Sequence, residues 1–396
     1  MALSAILRFC SLFVFRSFLH PQTWEFGQIA RSVATGHGFT YFGPYLPSAY
    51  MPPAYPLILA GALSLFGENS WAYLALGIIQ AVLGVLLVYF VYLLTLTLYS
   101  NQRTAQIAAI CAALYPPLIE MCDEFHSISF YVVLGVGAVL FLERAVRYPD
   151  RWSYLIYSAI CMGTLLLFRA EAVIFIPVYA TFLLRRHHRI SVLRPIVFVL
   201  VSYLFLVPWA MRNQRLFHQF VPTTTSAGIN LWIGNNPNAS GSDRGDSKYI
   251  SPELQVRLDA IPKTAEYEIQ RDRFLKQAAI SYMVSHPQHE IALDCKKLFM
   301  FWCFDPKHEK GRLPTYWVPS VLLSIIAVSG LFIKPRLPFK KLSVILITVS
   351  FSVVLALIFF SLPRYKIAID PYLCILAANR VAFLLSSRNA AGVGAY

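Results

Sequence analysis

Long apolar runs dominate the pattern of hydrophobic and polar positions, and short polar segments separate them. A helix that spans a bilayer needs about 20 apolar residues, with a range of roughly 17 to 25. Ten stretches reach or approach this length and predict spans at 3–19, 71–98, 105–121, 127–143, 152–168, 171–184, 190–211, 314–333, 341–362 and 367–385. The run 55–67 is shorter, and we interpret it as a helix at the membrane face. The pattern predicts an all-α, multi-pass membrane protein with about ten transmembrane helices.

One large polar segment interrupts the spans. The chain is therefore predicted to have an N-terminal transmembrane domain with a first outer loop, a small extracytoplasmic subdomain, and C-terminal transmembrane helices, at 1–211 (loop 20–53), 212–313 and 314–396 respectively. In the polar segment, apolar residues recur at helical spacing from about Ala265 to Phe304, with an interruption at His286-Pro287. This spacing predicts two helices that cap the membrane part.

Composition and charge agree with a membrane protein. The chain is 57% hydrophobic and 14% charged, whereas soluble domains carry about 25% charged residues. With the N-terminus in the cytoplasm and 55–67 not spanning, the predicted cytoplasmic loops carry Lys or Arg, as the positive-inside rule expects: 99–104, 144–151, 185–189, 334–340 and the C-terminal tail. Topology thus explains much of the net charge of +14, and we do not expect nucleic acid to be a partner.

Every segment with candidate chemistry then falls on the extracytoplasmic face, made of 20–53, 122–126, 169–170, 212–313 and 363–366. The N-terminal run carries Arg8 and Arg16 and lacks a small-residue cleavage site, so we interpret it as a retained span rather than a signal peptide. We expect a multi-pass protein of a bacterial inner or cell membrane with its site outside the cytoplasm.

The first outer loop is polar, aromatic and rich in turns, and Glu25 is its one carboxylate. Glu25 opens a predicted helix, where an ionised carboxylate is stabilised by the helix dipole. A first-turn charge of that kind is the structural alternative. The functional alternative is a general base at the mouth of an active site.

Two further clusters lie at ends of apolar runs. Asp123, Glu124 and His126 are interfacial residues in the structural interpretation, and they hold a substrate or a metal ion in the functional one. No second cluster has clear ligand spacing, so the metal signal is weak. Arg169 and Glu171 are costly between apolar runs unless they pair with each other or form an anion site.

Four basic residues mark two exits from the membrane on the outer face: Arg212, Arg215, Arg364 and Lys366. Long basic side chains at an interface commonly extend to water, which is the structural alternative. Their position opposes the positive-inside bias, however, and arginine has a planar fork suited to phosphate oxygens. A lipid phosphate in the outer leaflet would explain them.

At these residues the chain resembles the integral-membrane glycosyltransferases of the GT-C fold, in particular the family 39 group of protein O-mannosyltransferases and the lipid A aminoarabinose transferase. The similar pieces occur in order between residues 24 and 371: IARSVATGHGF with PPAYPLILAGALSLFG, FRAEAVIFIP, PWAMRNQRLFHQFVP with GINLWIGNNPNASG, and PRYKIAIDPYL. Each piece alone is weak, and their order on one face strengthens the resemblance.

The resemblance implies transfer of a sugar from a polyprenyl-phosphate donor to a lipid, glycan or protein acceptor on the periplasmic or lumenal side, with inversion. It implies a carboxylate base in the first outer loop, here Glu25, with Asp123 or Glu124 as a second acid. The expected substrate-binding residues are His37, His126, Arg169, Glu171, Arg212, Asn213, Arg364 and Lys366. Arginine and lysine can stabilise the departing phosphate without a metal, and a divalent metal is the alternative cofactor.

The chain departs from the family at one place. The family has an Asp-Glu pair just before this helix, whereas Gln22 and Thr23 stand here and only Glu25 is acidic. Two other interpretations therefore stay open beside the glycosyltransferase: a transporter or flippase of a polar lipid or solute, and a non-catalytic lipid-binding protein of the same fold. The sequence shows no internal repeat, and its charges lie at helix ends on one face, which disfavours a transporter.

Overall fold

The computed structural model describes residues 1–186, 192–242, 250–306, 308–332 and 338–393. Over these ranges the chain is helical and contains no strand, with two isolated β-bridges. The first half comprises the helices α1 Ala2–Phe15, α2 Trp24–Ala34, α3 Ala54–Phe66, α4 Ser70–Tyr99, α5 Gln102–Leu114, α6 Pro116–Glu120, α7 Ile128–Arg147, α8 Trp152–Leu166, α9 Phe175–Arg186, α10 Leu193–Leu204 and α11 Val207–Phe217.

The second half contains the outer segment and the C-terminal helices. Its helices are α12 Ala227–Gly234, α13 Pro252–Asp259, α14 Tyr267–Ser285, α15 Pro287–Trp302, α16 Glu309–Arg312, α17 Pro314–Phe332, α18 Phe339–Ile358, α19 Pro363–Ile367 and α20 Asp370–Val393. The predicted pair of helices in the outer segment is confirmed as α14 and α15, which separate at His286-Pro287.

Local sequence signals set several helix ends. Asn69 caps α4 by accepting from the Trp71 amide, and Asn101 caps α5 by accepting from the Thr104 amide. Ser100 lies between them with φ 53°, so α4 ends in a left-handed residue and the chain reverses into α5. The resulting pair packs with α7 and α20 around the main apolar core.

The number of spans differs from the prediction. Four described helices are long and apolar enough to cross a membrane, at Ser70–Tyr99, Ile128–Arg147, Pro314–Phe332 and Lys341–Ile358. The helices α10 and α11 make a fifth if the pair, bent by 50°, counts as one span. The count of ten is not confirmed, because three predicted runs are divided. Pro116 begins α6, Pro208 is the second residue of α11, and a short 3-10 helix at Ala170–Ile174 precedes α9.

Parts of two predicted cytoplasmic loops lie outside the described residues: 187–189 of the loop 185–189, and 334–337 of the loop 334–340. Residues 243–249 and 307 of the predicted subdomain also lie outside them.

A buried arginine explains the charge inside the first apolar run. Arg8 is fully buried and donates to the carbonyls of Ala112, Ala113 and Leu118 at 3.2–3.4 Å. The last carbonyls of an α-helix lack hydrogen-bond donors within their own helix. The guanidinium of Arg8 supplies donors to two such carbonyls of α5. Its side chain passes Gly84, where a Cβ atom would lie 2.5 Å from the Arg8 Nε. Arg8 therefore joins α1 to α5 and α6.

The outer segment is anchored on the C-terminal helices through a buried lysine. Lys297 of α15 is fully buried and donates to the Asn235 side chain at 2.8 Å and to the Leu357 carbonyl at 2.6 Å. Asn235 in turn donates to the Ile358 carbonyl at 2.8 Å. Gly234 lies so close to this chain that an added Cβ would be 1.5 Å from the Phe359 carbonyl oxygen. Only glycine permits this approach of the outer segment to the end of α18.

Candidate active site

The first outer loop presents Glu25 at the start of α2. Glu25 is half-buried and forms no hydrogen bond or ion pair within the described part of the chain. The residue before it, Trp24, has φ 44°, a left-handed conformation that is costly for a bulky side chain. The carboxylate is therefore held next to a strained residue. Its lack of a partner among the described residues is what is expected of a group that binds a ligand.

Two tyrosines of the same loop lie near the Glu25 carboxylate. Tyr41 and Tyr50 stack with ring centroids 4.6 Å apart and planes 9° from parallel. Burial, together with the nearby negative charge of Glu25, raises the pKa of Tyr41 to about 12. The same two causes raise the pKa of Tyr50. Glu25 thus faces two neutral phenols, and this part of the loop was not predicted as part of the site.

The first outer loop is held from two sides. Arg212 of α11 donates to the carbonyls of Ser48 and Phe39 at 2.8 and 3.3 Å and to the Asn213 side chain at 2.8 Å. On the other side, the buried Glu268 of α14 accepts from the Ala49 amide at 2.9 Å and from the Thr225 hydroxyl at 2.7 Å. Burial raises the pKa of Glu268, while these donors oppose the rise.

The positions of Arg212 and Asn213 differ from a phosphate-facing arrangement. Asn213 is fully buried and donates to the Val221 carbonyl at 2.9 Å. The Arg212 guanidinium lies over the Trp209 ring, 4.6 Å from its centroid. With its donors directed at loop carbonyls, Arg212 positions the loop that carries Glu25.

His126 lies where the first and second outer loops meet. It is buried, with its ring edge-on to Phe26 and Trp24 at centroid distances of 4.9 and 6.1 Å. Burial lowers the pKa of His126 well below its ordinary value, and the positive charges of Arg364 and Arg169 lower it further. His126 is therefore a neutral imidazole between the helix of Glu25 and two arginines.

The second outer loop is fixed by a glutamine from inside the bundle. Gln80 of α4 is fully buried and donates to the carbonyls of Cys122 and Glu124, both at 2.8 Å. The side chain of Glu124 accepts from Lys310 of α16 at 2.6 Å, and Glu120 lies 3.5 Å from the same ammonium. Lys310 thus neutralises the carboxylate that was predicted as a second catalytic acid.

Asp123 points away from this ion pair. Its side chain is buried, and neither carboxyl oxygen has a hydrogen-bond partner among the described residues. Burial raises the pKa of Asp123 to about 6, which the nearby Ser11 hydroxyl and the charge of Lys310 oppose. The Ser11 hydroxyl donates instead to the Arg8 carbonyl at 3.0 Å. Asp123 consequently loses its proton at a higher pH than an ordinary aspartate does.

Arg169 and Glu171 pair with each other. The Arg169 Nε donates to the Glu171 carboxylate at 2.6 Å, and the guanidinium lies 5.5 and 5.6 Å from the ring centroids of Tyr131 and Tyr365. This is the mutual ion pair that the sequence left open as one alternative. Arg169 still adds positive charge beside His126.

Arg364 is a cation without an anionic partner in the described part of the chain. It is half-buried at the start of α19, and its Nε is buried and makes no hydrogen bond there. Its positive charge lowers the pKa of both His126 and His308. The Nδ1 atom of His308 is likewise buried and unpartnered. His308 did not stand out in the sequence.

Two predicted residues lie away from this cluster. Lys366 is buried and donates to the Ser320 hydroxyl at 2.5 Å and to Asp370 at 3.0 Å. Its charge is therefore compensated inside the helix bundle, two residues beyond Arg364. His37 is exposed and bonds only to the Thr35 hydroxyl, at 2.9 Å.

The arrangement places the helix of Glu25 against His126, and the charges of Arg169 and Arg364 act on the same imidazole, so four separate segments contribute to this site. It adds Lys310, His308 and Glu120, for which the short charged stretch HEKGR was the available signal. In the described ranges, no group of three or more His, Cys, Asp or Glu side chains is placed to hold a metal ion.

Comparisons with known proteins agree with the resemblance. Residues 50–211 match the family model of dolichyl-phosphate-mannose-protein mannosyltransferase. No curated protein matches the sequence.

The fold is similar to that of the oligosaccharyltransferase of Archaeoglobus fulgidus. Against the apo form the TM-score is 0.58 at 15% identity, over 98% of this chain and 50% of that one. Against the same enzyme, AglB, in complex with an inhibitory peptide and a dolichol-phosphate, the TM-score is 0.56 at 16% identity, over 98% and 50%. The chain thus spans about half the length of this relative.

ArnT from Cupriavidus metallidurans bound to undecaprenyl phosphate aligns with a TM-score of 0.39 at 13% identity, over 97% of this chain and 76% of that one, a likeness too weak to support an argument. The likeness to the archaeal enzyme and the match to the family model identify the fold. The resemblance is confirmed: the chain is an all-helical, multi-pass membrane protein of the GT-C fold, with a segment that matches the dolichyl-phosphate-mannose-protein mannosyltransferase family.

Proposed function

We propose that the protein is a glycosyltransferase that moves a sugar from a polyprenyl-phosphate donor to a hydroxyl acceptor at the extracytoplasmic face. The observation that carries the proposal is that, among the described residues, the half-buried carboxylate of Glu25 and the guanidinium of Arg364 both lack a partner of opposite charge. His126 lies between their two elements. The match to a family named for a dolichyl-phosphate donor supports the donor class.

The proposed reaction is a single displacement. Glu25 takes the proton of the acceptor hydroxyl, and the acceptor oxygen forms a bond to the anomeric carbon. The bond from that carbon to the phosphate oxygen breaks, and its electron pair leaves with the lipid monophosphate. Attack from the side opposite the leaving group inverts the anomeric centre. The guanidinium of Arg364 stabilises the charge that develops on the phosphate.

The neutral state of His126 has a role in this scheme. A protonated imidazole beside Glu25 would lower the basicity of the carboxylate, whereas a neutral ring leaves it free to accept a proton. The ring also fills the space between α2 and the arginines with an aromatic surface. The two tyrosines beside Glu25 supply hydroxyl groups at the acceptor side.

The test is sugar release from a panel of radiolabelled polyprenyl-phosphate sugars by the purified full-length protein. We expect turnover of one donor and a loss of about 10²-fold or more in Glu25→Gln, as removal of a general base produces. The matched control is Glu68→Gln, an exposed carboxylate paired with Arg31 at 3.1 Å, which should retain activity.

Three other outcomes have distinct meanings. Turnover that survives Glu25→Gln would move the base to Asp123 or Glu124. Binding of a lipid phosphate without turnover of any donor would favour a non-catalytic lipid-binding protein. Neither binding nor turnover by folded protein would overturn the donor class and favour transport of another solute.

A further inference from the structure

Two nitrogen atoms in the candidate site are buried without a hydrogen-bond partner among the described residues: the Nε of Arg364 and the Nδ1 of His308. A buried N–H group that loses water and gains no acceptor costs roughly 1–3 kcal/mol, and more for a charged group. Folded proteins therefore pair nearly all such groups. Two exceptions in segments that hydrogen bonds hold together are consistent with a shared acceptor that is supplied from outside the chain.

Hydrogen bonds hold the segments of these residues together. The Ser361 amide donates to the Gly241 carbonyl at 2.9 Å, and the next residue, Ser242, donates through its hydroxyl to the Asp305 carboxylate. Arg364 follows Ser361 by three residues, and His308 follows Asp305 by three. The placement agrees with the pKa of His308, which burial lowers and the positive charge of Arg364 lowers further against the opposing charge of Asp305.

Three carboxylates of this region already accept from other donors. Glu124 accepts from Lys310 at 2.6 Å, Asp305 accepts from Ser242, and Glu171 accepts from Arg169 at 2.6 Å. Asp123 and Glu25 form no hydrogen bond to Arg364 or His308 in the described part of the chain. An oxyanion that enters the site would supply the missing acceptor, and a phosphate has several oxygens at the right spacing for a guanidinium and an imidazole together.

We propose that His308 donates from Nδ1 to the same phosphate group that Arg364 binds, so that His308 completes the donor site. The inference rests on the proposed function, because it assigns a second ligand to the phosphate of the lipid donor. The imidazole binds in its neutral form, with the proton on Nδ1. Lys310, two residues on, holds this stretch against the second outer loop through Glu124 and Glu120.

The experiment measures binding of undecaprenyl monophosphate to the full-length protein in phosphatidylcholine nanodiscs. We expect His308→Ala to weaken binding about tenfold or more, as loss of a hydrogen bond to a charged group does. His308→Asn should keep most of the affinity, because an asparagine amide nitrogen can occupy the place of Nδ1. His308→Gln, whose amide reaches the place of Nε2, should not. His286→Asn is the matched control, since His286 is exposed and stacks on Tyr282.

A merely structural role for His308 predicts a different order, in which all three substitutions lower the melting temperature and affinity together. Unchanged affinity in folded His308→Ala, with a loss in Arg364→Ala, would overturn the role of His308 and leave the proposed function intact. No binding of the lipid phosphate by the wild-type protein would overturn the proposed donor instead. Inorganic phosphate at equal affinity would show that the site takes free phosphate rather than a lipid.

Discussion

Asp123 is a residue whose surroundings disfavour its charge. Its side chain is 8% exposed, and no hydrogen-bond donor among the described residues meets its two oxygens. Burial raises its pKa from 3.8 to about 6. In the unfolded chain the group would titrate near the ordinary value of an aspartate. The folded protein therefore binds a proton at Asp123 more tightly than the unfolded chain does.

This difference predicts the pH dependence of stability from Asp123. Between about pH 4 and pH 6 the folded state holds more protons, so the contribution of this group to the free energy of unfolding falls as pH rises through that window. The destabilising effect is complete only about one pH unit above the folded pKa, near pH 7. We expect Asp123→Asn to raise the apparent melting temperature at pH 7.5 and to have a much smaller effect at pH 4.5, measured by thermal unfolding in detergent.

The control for this measurement is Asp259→Asn, which changes a carboxylate on the exposed end of α13. A melting temperature for Asp123→Asn below that of the wild type at pH 7.5 would contradict the prediction. It would indicate that the ionised carboxylate has a partner in the membrane-embedded protein.

At the scale of elements, the first outer loop is fixed by contacts with two helices, α11 and α14. Arg212 supplies donors to the carbonyls of Phe39 and Ser48, and Glu268 supplies an acceptor to the amide of Ala49. The middle of the loop is exposed, with Tyr45 88% accessible. The contacts at both ends therefore decide how precisely Glu25 and the tyrosines are held.

We predict that Arg212→Lys loosens this loop without removing the donor-binding cation. Lysine keeps the charge but has no planar fork for several simultaneous bonds. Chymotrypsin should then cut at Tyr45 several-fold faster than in the wild type, and turnover should fall while undecaprenyl phosphate affinity stays within about twofold. The matched control is Arg215→Lys, the exposed neighbour on the same helix. A loss of lipid phosphate affinity equal to that of Arg364→Ala would instead assign Arg212 to the donor phosphate.

The sequence predicted elements where the signal is local. Proline at 287 and the apolar spacing on either side located the break between α14 and α15. The split of the runs 105–121 and 190–211 is also marked by prolines, at 116 and 208, but hydropathy averaged over a span does not register them. The predicted count of ten spans was consequently not confirmed.

Partners distant in the chain could not be predicted. Lys366 looked like an interfacial cation, yet Ser320 and Asp370 bind it inside the bundle. Arg212 looked like a phosphate ligand, yet its acceptors are backbone carbonyls 164 and 173 positions away. Because every residue has a backbone carbonyl, the sequence does not indicate which carbonyl a side chain will bind. The roles of the remaining site residues stay predictions.

At the scale of the whole molecule, the orientation in the membrane rests on the basic loops. We predict that reporter fusions after residues 148 and 336 give cytoplasmic signals and that a fusion after residue 245 gives the opposite signal. The positions 245 and 336 lie outside the described residues, whereas Tyr148 follows directly on α7. Paired phosphatase and fluorescent-protein fusions measure both sides. A cytoplasmic signal at 245 would overturn the shared outer face.

The outer segment touches both halves of the membrane part. Glu268 of α14 binds the first outer loop, and Lys297 of α15 binds the chain at Leu357, a few residues before Arg364. These contacts connect the loop that follows Glu25 to the outer end of α18, which precedes Arg364. A bilayer that is thinner or thicker than the native one changes helix tilt at modest cost. Because the outer segment bonds to both places, we expect it to limit how far a change in tilt alters the separation of the carboxylate and the guanidinium.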